Sequence, residues 1–347
     1  MQTDKKDIRS LSKDQLRDFF ETHNDKSFRG NQVYEWLWSK GAHSFEDMTN
    51  LSKPTRLMLQ ENFVINHIKV DLMQRSEDGT VKNAVRLHDG LVVESVLIPT
   101  KTRTTACVSS QVGCSLDCNF CATSRLKRMR NLEPAEIYDQ VIAIDKESRL
   151  YYNHPLSNIV FMGMGEPLMN YNNVLKAIEM ITSAEGLGMS PKRIMVSTSG
   201  IPKMIVKLAD DEVKFKLAVS LHSAIDEIRA RIMPFSSNFP LADLRESLEY
   251  WYRKTKSKIS YEYVIWKDIN DNQASIEALV KFCKYVPCKV NLIEYNPIDD
   301  GEFQQASEQS VNDYIVALQK AGIVVKVRRS RGKDIDAACG QLANKEV

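Results

Sequence analysis

Residues 113–125 read GCSLDCNFCATSR and place Cys114, Cys118 and Cys121 in one short polar loop. Thiolates are the usual ligands of iron–sulfur clusters, and the spacing Cys-x3-Cys-x2-Cys allows three of them to converge. Three cysteines bind three irons of a four-iron cluster, so the fourth iron keeps a position for an external ligand. The ring of Phe120 is expected to shield such a cluster from water. The loop therefore predicts a [4Fe-4S] site.

A structural zinc site is the alternative interpretation of this loop. Zinc usually takes four ligands in paired Cys-x2-Cys units, and Cys107 is available as a fourth thiol. The chain has seven cysteines, an odd number that disfavours a disulfide framework. Cys283 and Cys288 match no motif and are interpreted as structural. The close spacing on a polar loop favours the cluster over zinc and over three inert thiols.

The composition is that of an ordinary globular protein. The 347 residues suit a large catalytic domain with a smaller accessory one, and 43% are hydrophobic and 27% charged. The net charge is only +2, so binding to RNA would require a local concentration of positive charge. The first ten residues are polar and no run of about 18 apolar residues occurs, so we expect a cytoplasmic protein without a membrane span.

Strand-like and helical segments alternate on both sides of the cysteine loop. The predicted strands are 103–110, 157–162, 193–198, 214–221, 258–266, 289–295 and 323–327. The predicted helices between them include 134–144, 174–181, 275–283 and 311–321. Such repeated units predict a parallel sheet, open or closed into a barrel, with its chemistry at the carboxyl ends of the strands.

The segment before the alternation is expected to be helical. Ser12 and Gln15 fit a capping box at the start of a first helix, and Gly41 suits the end of a second. A third helix is predicted after Ser52, with Pro54 in its first turn. These patterns predict a small helical accessory domain.

A β-hairpin is predicted next, from strands 81–87 and 91–98 on either side of Asp89-Gly90. In its second strand, Glu94 lies in an otherwise apolar row with Val92, Val96 and Ile98. A carboxyl group in such a row is expected to have a raised pKa, which suits a general base. The alternative is a carboxylate at the strand edge that faces solvent.

Several polar or small residues follow the predicted strands. Gly163 to Pro167 read GMGEP directly after a strand, where Gly165 allows close approach of a ligand and Glu166 can accept hydrogen bonds from an amine. Further candidates at strand ends are Ser197, Ser220, Leu221, His222 and Asn296. Taken singly, each of these is more typical of a turn or a cap.

The tail carries a lone cysteine among small residues. Residues 332–342 read GKDIDAACGQL, in which Ala337, Ala338 and Gly340 leave Cys339 open to close approach. A tail cysteine without a role is the alternative interpretation.

These motifs together resemble a known family. The cysteine spacing resembles that of the radical S-adenosylmethionine (SAM) superfamily. With GMGEP and the tail, nearly the whole chain resembles the dual-specificity adenosine-C2 methyltransferase family known as RlmN. The resemblance implies an α/β fold, a partial (βα)6 barrel with a small helical N-terminal domain. It also implies an accessory domain at 1–75, a hairpin linker at 76–100, a barrel at 101–325 and a tail segment at 326–347.

The resemblance also implies roles for particular residues. A [4Fe-4S] cluster on Cys114, Cys118 and Cys121 would cleave SAM, and two SAM molecules would be used per turnover. The strand-end candidates, with Gly165 and Glu166, would bind SAM. Cys339 would carry the methyl group to carbon 2 of adenosine, Glu94 would accept a proton, and Cys107 would form a transient disulfide with Cys339.

By the same resemblance the partners are 23S rRNA near its peptidyl-transferase region, tRNA beside its anticodon, and a flavodoxin-like electron donor. The enzyme is expected to be a monomer. Two basic runs near the motifs predict an RNA groove, although most charge runs are only solvated faces. They comprise Arg125, Lys127, Arg128 and Arg130 after the cysteine loop, and Lys326, Arg328, Arg329, Arg331 and Lys333 before the tail motif.

Three other functions remain open at this stage. The Cfr type of methyltransferase acts on carbon 8 of adenine and shares most motifs, but Ala usually stands where this chain has Pro167. A radical SAM enzyme with an unrelated substrate would leave the tail motif unexplained. A non-catalytic RNA-binding protein that holds zinc would bind one zinc ion and would not cleave SAM.

Overall fold

The computed structural model describes residues 5–299 and 301–345. The predicted outer domains include residues 1–4, 346 and 347, which lie outside the described residues together with residue 300. The domain limits stay predictions.

The N-terminal part is helical, as predicted. It contains strand β1 (Lys6–Asp7), helices α1 (Lys13–Thr22), α2 (Phe28–Trp38) and α3 (Lys53–Asn62), and strand β2 (Phe63–Val64), which pairs with β1. The Ser12–Gln15 capping box is formed, and the Ser52 hydroxyl accepts a hydrogen bond from Thr55 N–H at the start of α3. Each cap satisfies a backbone donor that a helix leaves free, so these residues fix where α1 and α3 begin.

An antiparallel three-stranded unit follows. Strands β3 (Lys69–Arg75), β4 (Val81–Arg86) and β5 (Val92–Pro99) pair in that order. The predicted hairpin is β4–β5, in register from Val81 opposite Leu97 to Arg86 opposite Val92. Strand β3 was not predicted, and most of its residues are exposed.

The rest of the chain forms a partial barrel of six strand–helix units and a seventh strand. The strands are β6 (Thr104–Cys107), β9 (Asn158–Phe161), β10 (Ile194–Thr198), β11 (Lys216–Ser220), β12 (Ile259–Val264), β13 (Cys288–Ile293) and β14 (Val324–Arg328). Two short strands, β7 (Gln111–Val112) and β8 (Arg130–Asn131), pair with each other after β6. The helices are α4 (Pro134–Tyr152), α5 (Tyr171–Thr182), α6 (Pro202–Asp210), α7 (Asp226–Ile232), α8 (Leu241–Thr255), α9 (Gln273–Phe282) and α10 (Glu308–Lys320).

The sheet runs in the order β14-β13-β12-β11-β10-β9-β6-β5-β4-β3, and each neighbouring pair from β6 to β14 is parallel. Its two edges are β14 and β3, so the described strands do not close into a full barrel. This architecture confirms the predicted partial (βα)6 barrel. Because the strands are parallel, all their carboxyl ends meet at one mouth and all their amino ends at the other. None of the described helices is long and apolar enough to cross a membrane.

Candidate active site

A cavity of about 1030 Å³ opens at the carboxyl ends of the strands. We call it the carboxyl-end cavity. It is bounded by the ends of β9 to β13, the cysteine loop and the tail. Ten of the thirteen predicted site residues line it: Cys114, Cys118, Cys121, Gly165, Glu166, Ser197, Ser220, His222, Asn296 and Cys339. Glu94, Cys107 and Leu221 lie behind this lining.

The three cysteines of the loop all face the carboxyl-end cavity. Burial raises the pKa of the Cys114 thiol to about 11 and holds that of Cys118 well above its usual value, and the neighbouring thiols add to the shift in Cys118. Thiolates therefore require the charge of a bound metal here. Over residues 5–299 and 301–345, no three His, Cys, Asp or Glu side chains are placed to share one metal ion. The spacing of the three cysteines along the loop remains the ground for a [4Fe-4S] cluster rather than zinc.

Hydrogen bonds to the turn after α7 shape the cysteine loop. The carboxylate of Asp117 accepts a hydrogen bond from Phe235 N–H at 2.8 Å, and Asn119 N–H donates to the carbonyl of Ile232 at 3.0 Å. The Ser124 hydroxyl donates to the carbonyl of Cys118 at 2.6 Å. These hydrogen bonds therefore hold the loop around Cys118 and just after Cys121.

An aromatic wall lies beside the cysteines. The ring of Phe120 is 4.8 Å from that of His222 and 5.2 Å from that of Trp266, centroid to centroid. Burial, followed by the charge of Arg229, lowers the pKa of His222 to about 3, so its imidazole is neutral. Val264 N–H donates to Nδ1 of His222 at 3.2 Å, which assigns the proton to Nε2. The shielding of a cluster by Phe120 stays a prediction.

Glu166 provides a buried carboxylate in the cavity. One oxygen accepts hydrogen bonds from Ser199 N–H at 2.8 Å and from the Ser199 hydroxyl at 2.7 Å, and the other accepts from Leu168 N–H at 3.0 Å. Burial raises the pKa of Glu166 against these hydrogen bonds. No lysine, arginine or histidine of the described residues forms an ion pair with it. A cationic group of a ligand would therefore be favoured here.

Gly165 and Gln111 hold Glu166 in place. Gly165 has a φ of +95°, and a Cβ at this position would lie 2.5 Å from the Cβ of Gln111. The Gln111 side chain accepts a hydrogen bond from Glu166 N–H at 2.8 Å. A glycine is thus required by the turn and by the close packing of Gln111.

Arg229 was not predicted as a site residue, yet it organises the loops around the cavity. Its buried guanidinium donates to the carbonyl of Ser199 at 2.6 Å and to that of Leu221 at 3.2 Å. Burial lowers its pKa to about 10. The side chain of Leu221 lies in the core. Leu221 contributes through its carbonyl, which Arg229 binds.

The side chain of Asn296 contacts the tail through its N–H group, and its oxygen accepts no hydrogen bond from the part of the chain that the structure describes. Its side-chain N–H donates to the carbonyl of Cys339 at 3.2 Å. Its side-chain oxygen, like the hydroxyl of Tyr295, is buried and has no hydrogen-bond partner among the described residues. Buried polar atoms are rarely left unpaired, so these two atoms indicate a missing polar ligand.

The tail places Cys339 at the cavity. Ala122 N–H donates to the carbonyl of Gly340 at 2.7 Å, and the Thr123 hydroxyl donates to the carbonyl of Leu342 at 2.7 Å. Both donors follow Cys121 directly, so the tail is bound to the cysteine loop itself. Cys339 is exposed at this junction.

Glu94 lies on β5, 3% exposed, beneath the end of the tail. Its carboxylate accepts hydrogen bonds from Ala343 N–H at 2.8 Å and Asn344 N–H at 3.2 Å, and Lys82 Nζ lies 3.5 Å away. The solvent-facing alternative for Glu94 is therefore wrong. No local sequence signal indicated these partners, which lie about 250 residues away along the chain.

Cys107 ends β6 and is buried. Burial raises the pKa of its thiol to about 12, and a negative charge on Cys339 would raise it further. Both thiols are free, as are the other five, and all seven cysteines lie in the described residues.

Glu262 is a second site residue that was not predicted. It is 2% exposed on β12, lines the cavity, and accepts hydrogen bonds from the Asn291 side chain at 2.7 Å and from Arg328 at 3.0 Å. A charged residue in the otherwise apolar strand ISYEYV was the available signal.

The two predicted basic runs do not form one uniform groove. Arg130 is bound to Glu136 and Asp89, whereas Lys127 and Arg128 are exposed beside Met129, whose surface is 58% exposed. In the second run, ion pairs join Arg329 to Glu308, Arg331 to Asp78 and Lys333 to Glu294. Lys326 and Arg328 line a different cavity. Arg329, Arg331 and Lys333 are nonetheless exposed, so the RNA groove stays a prediction.

Comparisons with known proteins agree with this geometry. Residues 6–65 match the ribosomal RNA large subunit methyltransferase N-terminal domain, and residues 108–283 match the radical SAM superfamily. A probable dual-specificity RNA methyltransferase RlmN of Flavobacterium johnsoniae is 85% identical over 347 residues, which cover 100% of this chain and 99% of the relative. The dual-specificity RNA methyltransferase RlmN of Desulfotalea psychrophila is 39% identical, with 99% of this chain and 96% of the relative covered.

A solved structure shares the whole architecture. The crystal structure of a radical SAM methyltransferase from Sphaerobacter thermophilus superposes with a TM-score of 0.90 at 34% identity, and the match covers 97% of this chain and 99% of that one. The motifs, the partial barrel and these relatives agree. The chain belongs to the RlmN family of dual-specificity RNA methyltransferases within the radical SAM superfamily.

Proposed function

We propose that this enzyme methylates carbon 2 of an adenosine in RNA and that Cys339 carries the methyl group. The observation that supports this most strongly is the tail, which hydrogen bonds to the cysteine loop and so places Cys339 on the same cavity as Cys114, Cys118 and Cys121. Carbon 2 of adenine is electrophilic, so an ordinary polar transfer from SAM to it is disfavoured. A methyl carrier beside a radical source avoids this difficulty.

The residues of the cavity suit the expected cofactors. A [4Fe-4S] cluster bound by Cys114, Cys118 and Cys121 would supply the electron that cleaves SAM to a deoxyadenosyl radical. Glu166 would accept hydrogen bonds from the amino group of SAM. The unpaired side-chain oxygen of Asn296 would accept one from a ligand N–H. Gly165, Ser197, Ser220 and His222 complete the SAM site, with Leu221 acting through its backbone.

The chain's own residues would then complete the transfer. Cys339 takes a methyl group from a first SAM, and a second SAM serves the radical step. The deoxyadenosyl radical would take a hydrogen atom from the S-methyl group of Cys339, and the resulting carbon radical would bond to carbon 2 of adenine. The adduct would give one electron back to the group that supplied it for SAM cleavage, and Glu94 would take the proton from carbon 2. The sulfur of Cys107 bonds to that of Cys339 as the Cys339 sulfur–carbon bond breaks. The electron pair of that bond stays with the new methyl carbon, which gains a proton.

One contact supports this sequence of roles. Glu94 binds the backbone of the same tail, at Ala343 and Asn344. A shift of the tail that carries Cys339 toward RNA would therefore also release the carboxylate of Glu94.

The proposed substrates are 23S rRNA near the peptidyl-transferase region and tRNA beside the anticodon. The adenosine must leave its stack to enter the cavity. Lys127 and Arg128 are exposed next to the cysteine loop and are suited to phosphate contacts. We further propose a flavodoxin-like electron donor, a monomeric state and a cytoplasmic location.

The test is anaerobic reconstitution with iron and sulfide, followed by incubation with SAM, a reductant and an unmodified fragment of 23S rRNA or tRNA. Mass spectrometry of the digested RNA then locates the methyl group. Methylation of carbon 2 that is lost in Cys339→Ala but kept in Cys283→Ala supports the proposal. Cys283 is a matched control because it is a buried cysteine outside the cavity. Methylation of carbon 8 would indicate the Cfr type, and bound zinc without sulfide would refute the enzyme mechanism.

A further inference from the structure

A second cavity, of about 750 Å³, opens at the opposite mouth of the barrel. We call it the amino-end cavity. Asn158 and Lys216 are the first residues of β9 and β11, and both line it. Six of its lining residues are basic, and none is acidic: Arg103, Arg193, Lys216, Lys289, Lys326 and Arg328.

Most of these positive charges have no counter-charge. Of the six, only Arg328 forms an ion pair with a described residue, through Glu262. Burial lowers the pKa of Lys289, and the charges of Lys216, Lys326 and Arg328 lower it further against the opposing effect of Glu262. Like charges in a cavity repel one another unless an anion enters.

A polar layer separates the two cavities. Glu262 lines the carboxyl-end cavity and accepts hydrogen bonds from Asn291 and Arg328, which line the amino-end cavity. Met162 lines both. Arg328 thus belongs to this layer, whereas the other five basic residues lie below it, and the proposed SAM chemistry does not use those five.

We propose that the amino-end cavity is a binding site for a small polyphosphate anion, with two or three linked phosphate groups. Arginine and lysine side chains are the usual partners of phosphate oxygens. The six cations come from β11, β13, β14 and the segments before β6 and β10, so they surround the cavity. A single phosphate contacts only two or three side chains, whereas a polyphosphate can reach cations on opposite walls.

The experiment measures binding of inorganic tripolyphosphate to the full chain by isothermal titration calorimetry. The double variant Lys216→Gln, Lys326→Gln removes two exposed cations of the cavity and is expected to weaken binding at least tenfold. The matched control is Lys53→Gln, Lys203→Gln, which removes two exposed lysines that lie on α3 and α6 outside the cavity. Binding to the control should equal binding to the unmodified enzyme. Tripolyphosphate should also raise the melting temperature, and only the cavity variant should lose this rise.

The outcomes separate the possible ligands. A nucleoside triphosphate that binds more tightly than tripolyphosphate identifies a nucleotide as the source, and equal binding identifies the polyphosphate chain alone. Both results support the site. Absence of binding, or equal weakening in both double variants, refutes it. Displacement of tripolyphosphate by a short RNA without a target adenosine would also refute it, because the cavity would then be part of an RNA surface. The melting temperatures without ligand check folding, since removal of repelling charges should not lower them.

Discussion

The two mouths of the barrel differ sharply in charge although the same strands build both. The carboxyl-end cavity is lined by Glu166, Glu262 and Glu294 and by no lysine or arginine, whereas the amino-end cavity is lined by six basic residues and no acid. SAM carries a positive sulfonium, a positive ammonium and a negative carboxylate group, so its net positive charge suits a cavity lined by carboxylates. The opposite mouth is suited to an anion. The strand ends thus determine which charge each mouth accepts.

The largest expected effect is the loss of cluster assembly and SAM cleavage when a cysteine of the loop is replaced. Cys118→Ala should abolish cluster assembly and SAM cleavage, because two thiolates cannot replace three on a four-iron cluster. Iron and sulfide analysis and the visible absorbance of the reconstituted protein measure the loss. Cys288→Ala is the control, since Cys288 starts β13 and does not line the carboxyl-end cavity. A full iron and sulfide content in Cys118→Ala would contradict the assignment.

The next largest expected effect is a fall in SAM affinity when the negative charge of Glu166 is removed. Glu166→Gln keeps the shape of the side chain and one acceptor for Ser199, but it removes the charge. A hydrogen bond to a charged group contributes about 1.5–3 kcal/mol, so SAM affinity should fall roughly 10- to 100-fold. Equilibrium dialysis of SAM with the cluster-loaded enzyme tests this. Glu227→Gln, an exposed residue of α7, is the control, and equal affinities for both variants would refute the role of Glu166.

A smaller effect is expected from the buried arginine that joins two loops of the same cavity. Arg229→Lys loses the fork that binds the carbonyls of Ser199 and Leu221, because an ammonium group cannot reproduce its geometry. The free energy of unfolding should fall by about 1–3 kcal/mol. Denaturant unfolding measures it, with the exposed Arg231→Lys as the control. Unchanged stability in Arg229→Lys would show that water replaces these contacts.

The sequence predicted the carboxyl-end cavity far better than the amino-end cavity. Motif residues such as Glu166 and Asn296 follow strands directly, and parallel pairing brings strand ends together, so their convergence could be expected. The basic residues at the other mouth lie on or just before strands that are far apart in the chain, and they carry no motif. Their convergence depends on sheet register, such as Asn291 opposite Lys326.

The sequence nevertheless contained one signal that some basic residues would face the amino-end cavity. Side chains alternate along a strand, so Lys326 and Arg328 had to share a face of β14 that Val327 does not. This alternation indicated that the second basic run would divide. The contact of Glu94 with Ala343 and Asn344 had no comparable signal, because it joins a hairpin to a tail whose position depends on the whole barrel.

The smallest expected effect is a change in melting temperature, and its measurement tests the charge repulsion in the amino-end cavity directly. Lys289 is half-buried and its pKa is lowered, so the folded state binds its proton less tightly than the unfolded chain does. The charged side chain therefore destabilises the fold at neutral pH. Lys289→Met should raise the melting temperature by about 1–2 °C at pH 7, since a change of about 1 kcal/mol corresponds to a few degrees in a chain of this size.

The pH dependence of this gain follows from the direction of the shift. As pH rises through the lowered pKa of Lys289 toward the ordinary lysine value of about 10.4, the side chain loses its charge and the repulsion disappears. The advantage of Lys289→Met should therefore shrink with rising pH and vanish above roughly pH 10. Lys284→Met, an exposed lysine outside the cavity, should show no such gain. A lower melting temperature for Lys289→Met at pH 7 would mean that Lys289 is stabilised by its surroundings, and the cavity would then have no excess positive charge for an anion to neutralise.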